Sequence, residues 1–445
     1  MRTVSIIPAY IINLKHRMDR KRDIIKEFAQ REEFRINIIE AKEHKVGSIG
    51  LWNSIIHILQ HVMNTDEEMI LICEDDHQFS KHYTADILFQ SIAEAADKDV
   101  DVLLGGVSWF SCGMPVSPGL FWIEKFSGLQ FTIIFRKCFD RIMSSDFKEN
   151  DAADYKISSL TDNKMVIHPF ISTQKEFGYS DATTKNNKIG HVSKLFSEAE
   201  ERLFFLKNVA SFYREHMINI EDKEAYQNIA IPTYIINLPE RKDRLAHIQK
   251  QFENKSEFDI TIMEACRHKV GAVGLWNSIL KIINLAVQNE DDVIIICEDD
   301  HEFTKDYSSQ SLIKNIIAAH RQGADILCGG IGGFNQALYM GNYRYWIDFF
   351  WGMQFTVLYK SIFEPILKEP FGEKDTADGI LSAITGHKMV LYPFISVQRD
   401  FGYSDVTRKN NEIKGLISDY FKKASQRLEM IQRTYSKYNG RELHY

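Results

Sequence analysis

No apolar run in this chain approaches the roughly 20 residues that a membrane-spanning helix needs. Cysteine is sparse, six in 445 residues. No two are spaced as Cys-x-x-Cys, which argues against a zinc site and a disulfide framework. Cys73 and Cys297 each end an apolar run and read as buried free thiols of a reducing compartment. Excess positive charge is also missing. A net charge of −7 leaves no basic field to draw in a nucleic-acid backbone. The short apolar run in Met1–Leu14 has no small-residue cleavage site after it, so it reads as a first strand, not a signal peptide. A cytoplasmic location is expected. The last helix carries Lys422, Lys423, Arg427 and Arg433, so at most peripheral membrane contact is expected.

What the chain does have is one text written twice. Tyr10-Ile11-Ile12-Asn13-Leu14 returns as Tyr234-Ile235-Ile236-Asn237-Leu238, and Gly50-Leu51-Trp52-Asn53-Ser54 as Gly274-Leu275-Trp276-Asn277-Ser278. Cys73-Glu74-Asp75-Asp76-His77 returns as Cys297-Glu298-Asp299-Asp300-His301, and Phe177-Gly178-Tyr179-Ser180-Asp181 as Phe401-Gly402-Tyr403-Ser404-Asp405. The shift is 224 each time (234 − 10, 300 − 76, 405 − 181). A period this long is a domain duplication, since solenoid repeats recur every ~20–50 residues. The expected organisation is a first domain over 1–200, a helical linker over 201–228 and a second domain over 229–445.

Within a copy, Ala9–Leu14 and Met69–Cys73 are continuous apolar runs, the pattern of strands covered on both faces. Arg35–Glu40 fits a further strand. Lys21–Phe28 and Leu51–Val62 have helical spacing. Phe131–Phe135 and Met165–Ile167 look like later strands, and Ser197–Glu224 and Ser418–Tyr438 like closing helices. Strands alternating with helices predict two α/β domains, each with a mostly parallel sheet.

The acidic cluster sits at the end of the central strand, where open α/β sheets bind ligands. Adjacent carboxylates repel unless a cation or donors offset them. Hard oxygen ligands suit Mg²⁺ or Mn²⁺, ions that usually bridge to substrate phosphates. Glu74, Asp75 and Asp76, with Glu298, Asp299 and Asp300, are therefore candidates for a metal–nucleotide site, and His77 and His301 could add a metal ligand or a phosphate contact. Asn13, Arg17 and Arg20, with Asn237, Arg241 and Arg244, follow the first strand at the same sheet edge and offer forked donors for phosphate. The glycines at 47 and 50 lead into a helix whose N-terminus can face an anion. Asn53 and Ser54 are candidate sugar contacts there, and Trp52 is expected in the core. Asp151 and Asp154 recur as Asp375 and Asp378, three apart, each a candidate base for an acceptor hydroxyl or a helix cap. The Gly-Tyr-Ser-Asp stretch is expected to close over the donor.

This order of motifs resembles glycosyltransferase family 25: Tyr-Ile-Ile-Asn-Leu-x-x-Arg-x-Asp-Arg, then Gly-x-x-Gly-x-x-x-Ser, then an apolar strand ending in Glu-Asp-Asp. The family includes bacterial lipopolysaccharide sugar transferases and collagen galactosyltransferases. The resemblance implies two tandem GT-A-like (Rossmann-like) domains, a nucleotide-sugar donor with UDP-sugars foremost, a divalent metal and inversion at the anomeric carbon. The acceptor would be a glycan or other hydroxyl. It implies that Glu74 and Asp76 match the family's nucleotide-contacting and metal-binding acids, with Glu298 and Asp300 as their partners. Ile55 and Ile279 stand where members often carry histidine, so donor and acceptor identity do not transfer. A nucleotide- or glycan-binding module and a metal-dependent phosphohydrolase are the competing readings.

Overall fold

The first strand, Ile7–Asn13, is buried at all seven positions, as its unbroken apolar sequence requires of a strand covered on both faces. The computed structural model describes residues 6–178, 188–215, 229–402 and 415–439. They fall into two units, Met1–Val209 and Ala210–Tyr445.

In chain order the strands of the first unit are β1 (Ile7–Asn13), β2 (Phe34–Glu40), β3 (Met69–Glu74), β4 (His77–Phe79), β5 (Val102–Leu104), β6 (Trp109–Phe110), β7 (Gly113–Ser117), β8 (Leu120–Ile123), β9 (Phe126–Ser127), β10 (Phe131–Phe135), β11 (Lys164–Ile167) and β12 (Ser172–Gln174). Eight of them form one sheet, ordered β2-β1-β3-β10-β5-β11-β8-β7. β10 and β8 run against the other six. The result is a mostly parallel, Rossmann-like sheet with flanking helices. The second unit repeats it strand for strand, with Ile231–Asn237 and Val293–Glu298 in the central places. Phe131–Phe135 is a strand where its apolar run predicts one, but it is inserted antiparallel between β3 and β5. Apolar composition reports burial and carries no strand direction.

The helices are α1 (Met18–Glu27), α2 (Gly47–Val62), α3 (Ala85–Asp97), α4 (Phe139–Met143), α5 (Ala153–Leu160) and α6 (His191–Glu215). The glycines ahead of α2 are there for close approach. A Cβ on Gly50 would stand 2.6 Å from the Lys42 carbonyl oxygen, and one on Gly274 2.5 Å from that of Cys266. The Ser54 hydroxyl donates to the Gly50 carbonyl (2.7 Å) and accepts from the Lys42 N–H (2.8 Å). Ser54 thus fastens the incoming loop and is not available to a sugar. Trp52 is core as expected, stacked on Phe147 at 4.7 Å.

The closing helices are His191–Glu215 and Leu416–Asn439. The first begins six residues earlier than the expected Ser197, and residues 216–228 lie outside the described ones. Arg202 and Arg427 do the same work, donating to the carbonyls of Phe110 and Ser111 and of Phe334 and Asn335. Their separation is 225, not 224, because the second copy has three residues between Asn411 and Gly415 where the first has two between Asn187 and Gly190. Glu176 accepts from the Gly190 N–H, and the shorter Asp400 accepts from Gly415. Of the basic residues on the final helix, Arg427 is used in this anchoring and Lys423 pairs with Asp419. Among the described residues no helix is long and apolar enough to cross a membrane.

Candidate active site

The sheet places Asn13 at the end of β1 and Glu74 at the end of the neighbouring β3. Asp75 and Asp76 form the turn beyond, and β4 then pairs antiparallel with β12. Four groups close on that turn. The Asn13 amide donates to Asp75 Oδ2 (2.8 Å). Arg20, on α1, donates to Asp75 Oδ1 (3.1 Å) and Asp76 Oδ2 (3.3 Å). The Gln174 amide donates to Asp76 Oδ2 (2.6 Å), and the Lys175 N–H to the Asp76 carbonyl (2.7 Å). Arg17 lies buried beside them, and its carbonyl accepts from Asn13 (3.2 Å). α1 is held in place by Glu27, which accepts from the Phe79 N–H on β4 (2.8 Å).

The second unit builds the same clasp. Asn237 donates to Asp299 (2.9 Å), Arg244 to Asp299 (2.9 Å) and Asp300 (3.0 Å), and Gln398 to Asp300 (2.9 Å). Arg241 stands 4.0 Å from Asp299. A guanidinium against two buried carboxylates is strongly attractive in low dielectric, but its worth is set by what removal leaves behind: an unpaired buried charge, at about 3–5 kcal/mol.

The arginines do not offset the burial of three adjacent acids. Burial raises the Asp76 carboxyl to about 6 against the opposing Gln174 bond and Arg20 charge, with Asp75 adding to the rise. Asp300 is raised to about 6 by the same burial. Glu74 is pushed well above the carboxylate range by burial, then by Asp76, Asp75 and Asp154. Glu298 is raised likewise, with Asp378 among its causes. In both units the glutamate is thus the acid of the cluster whose charged form is most disfavoured.

That influence also locates the candidate bases. Asp154 and Asp378 lie close enough to Glu74 and Glu298 to act on them. Asp154 Oδ2 accepts from the Ser127 hydroxyl (2.7 Å) and the Gly128 N–H (3.1 Å). Asp378 Oδ2 accepts from the Gly352 N–H (3.0 Å). Asp151 and Asp375 are occupied elsewhere, closing their own turns onto the N–H groups of Lys148 (2.9 Å) and Gly372 (2.7 Å). Of each aspartate pair, the later member is held at Gly128 or Gly352, and the earlier one closes its own turn.

The histidines are placed differently from the expectation that they join the metal ligands. The His77 ring lies 4.4 Å from Phe79, 5.1 Å from Phe131 and 5.6 Å from Phe28. Its Nδ1 bonds the Ser172 hydroxyl (2.8 Å), and burial lowers its pKa to about 3. His301 repeats this with Ser396. β4 begins at His77, and residues two apart on a strand share a face, so the His77 ring lies with Phe79 in the aromatic core. For a metal, the orphaned oxygens are the test. Asp76 Oδ1 and Asp300 Oδ1 are buried without a hydrogen-bond partner. Among the described residues no three His, Cys, Asp or Glu side chains gather to hold an ion. The site fits an ion taken through one carboxylate and completed by substrate phosphates.

Gln174 and Gln398 were not singled out from the sequence. Their signal was there, identity at the same shift just ahead of the Phe-Gly-Tyr-Ser-Asp stretch. Of that stretch, Phe177 and Phe401 cover the clasp, 4.7 and 4.8 Å from the Arg20 and Arg244 guanidinium carbons. Tyr179–Asp181 and Tyr403–Asp405 lie outside the described residues.

No protein-family model and no curated protein matches the chain. Among solved structures it is similar to an apo UDP-glucose pyrophosphorylase, at 12% identity and TM-score 0.28, over 45% of this chain and 83% of that one. It is also similar to the glycosyltransferase GlyE of Streptococcus pneumoniae TIGR4, at 8% identity and TM-score 0.27, over 71% of this chain and 99% of that one. TM-scores this low assign neither fold nor function to this chain.

Proposed function

We propose that each unit transfers a sugar from a nucleotide-sugar donor to a hydroxyl acceptor. The observation that carries this reading is the acidic clasp at the carboxyl edge of each sheet, built twice with the same partners and set beside an aspartate from the far half of the unit. The order of motifs, which resembles that of a glycosyltransferase family, makes a UDP-sugar the first donor to test.

In this reading Arg17 and Arg241 face the donor phosphates, while Arg20 and Arg244 keep the aspartates in register. Glu74 and Glu298 contact the nucleotide. Asp76 and Asp300 would hold Mn²⁺ or Mg²⁺ through Oδ1, and such an ion offsets charge on a departing diphosphate. Asp154 and Asp378 take the proton of the acceptor hydroxyl as its oxygen attacks the anomeric carbon. The bond to the diphosphate breaks on the opposite face, which gives inversion. Inversion requires a base on the acceptor side, opposite the departing diphosphate.

The test is product analysis with a labelled UDP-sugar and Mn²⁺, with and without a mixture of oligosaccharide acceptors. The proposal expects label in a lengthened saccharide. Free sugar released at one rate regardless of acceptor would identify a hydrolase instead.

A further inference from the structure

Six tryptophans are present, and four of them, Trp52, Trp122, Trp276 and Trp346, are buried core. The other two are exposed, Trp109 by 39% and Trp351 by 52%. They are not repeat partners. Position 109 corresponds to Gly333 (109 + 224), and 351 to Ser127 (351 − 224). Yet Trp109 pairs with Ser127 across the β6–β9 ladder, and Gly333 pairs with Trp351 in an antiparallel bridge. Residues directly opposite on antiparallel strands project from the same face. An indole therefore stands on the same face of the same rung in both units, supplied from opposite strands.

The small residue across the rung makes room for it. A Cβ on Gly333 would stand 2.7 Å from Trp351 Cε3. The rung is also tied to the candidate base. Ser127 and Gly128 bond Asp154, and Gly352, next to Trp351, bonds Asp378. Each indole has aromatic company. Tyr155, the residue after Asp154, lies 6.1 Å from Trp109. Phe349 and Tyr420 lie 5.7 and 6.2 Å from Trp351. A solvated indole adds little to a core, and clustered exposed aromatics mark binding surfaces. Sequence drift would be expected to lose such a residue, whereas here it has changed strands and kept its place.

We propose that Trp109 and Trp351 are stacking platforms for a pyranose ring of the acceptor glycan, one per unit, holding its hydroxyl towards Asp154 or Asp378. The inference rests on the glycosyl-transfer reading of the same site and names its acceptor class. One face of a pyranose presents C–H groups, whose slight positive charge suits the electron-rich face of an indole. The hydroxyls at the ring edge stay free to meet the aspartate.

The test is acrylamide quenching of tryptophan emission in the full chain, with maltotriose, cellotriose, chitotriose and mannotriose as probes and UDP as control. Four buried indoles are already shielded, so the quenchable signal belongs to Trp109 and Trp351. At least one trisaccharide should lower quenching two-fold or more. Trp109→Ala and Trp351→Ala should each remove part of that protection, and UDP-sugar binding by calorimetry should be unchanged. Protection by none of the trisaccharides, or equal protection by UDP alone, would overturn the platform. Saccharide protection without any UDP-sugar binding would keep the platform and overturn the transferase reading.

Discussion

Between the first unit and the second, the clasp distances change by only 0.1–0.3 Å: 2.8 to 2.9 Å for asparagine to aspartate, 3.1 to 2.9 Å and 3.3 to 3.0 Å for the arginine, 2.6 to 2.9 Å for the glutamine. A short way along the same edge the rim has been rebuilt. Trp109 and Ser127 have become Gly333 and Trp351, and Tyr155 has become Gly379. The contrast follows from what each part must satisfy. Buried carboxylates tolerate no loss of a partner, so the clasp is held by its own energetics. A solvated rim carries no such penalty and is free to follow its ligand. The back of the sheet diverges too. Arg344 stands where the first unit has Leu120, and it is buried on Gln322 (3.0 Å) and Asn315 (2.6 Å), which replace Lys98 and Ser91.

The strongest way to break the comparison is at the base. With the first unit silenced by Asp76→Ala, Asp378→Asn should lower transfer by about 10²–10⁴-fold, the range for a general base. UDP-sugar affinity should hardly move, because the lost interaction acts in the transition state. Full activity in that background would end the assignment. Arg244→Ala comes next. It removes the guanidinium bonded to both Asp299 and Asp300 and should cost about 3–5 kcal/mol, read by chemical denaturation. Arg20→Ala should cost the same within error, and a clear inequality would show that the two clasps are not energetically alike.

A smaller effect concerns pH. The folded-state pKa of His77 and His301 is lowered to about 3 by burial. Their stability contribution is complete above the unfolded value of about 6.5 and is lost as pH falls towards 3, because the unfolded chain takes up protons that the folded rings refuse. At pH 5 each histidine should cost about 2 kcal/mol relative to pH 7. His301→Phe, which suits its aromatic neighbours, should flatten the slope, and an unchanged slope in urea titrations would contradict the burial argument. The smallest effect sharpens the difference at the rim. Ser127→Ala removes one hydrogen bond to Asp154, about 1 kcal/mol, and Trp351 supplies no equivalent bond. Only the first unit's activity should respond.

Much of this is legible in the sequence. Met69–Cys73 reads as a central strand because nothing polar interrupts it, and the acids that follow must then stand at the sheet edge. Repetition did the rest for Asn13 and Arg20, since identity at one shift separates retained side chains from drifting ones. The same filter hid Trp109 and Trp351. A residue that changes strand keeps its place in space and loses its place in the alignment. His77 is placed away from the carboxylates because β4 starts at that residue and carries its ring among Phe28, Phe79 and Phe131, a boundary the acidic sequence before it does not mark. Asp151 could not be told from Asp154, for three residues along a chain carry no information about which carboxylate the sheet will meet.

The central claim is that the chain carries two equivalent donor sites, one on each clasp. Calorimetric titration of the full chain with a UDP-sugar and Mn²⁺ tests it most directly. The account predicts two sites per chain, one of which disappears in Asp76→Ala and the other in Asp300→Ala. A single site that survives Asp76→Ala unchanged would contradict it.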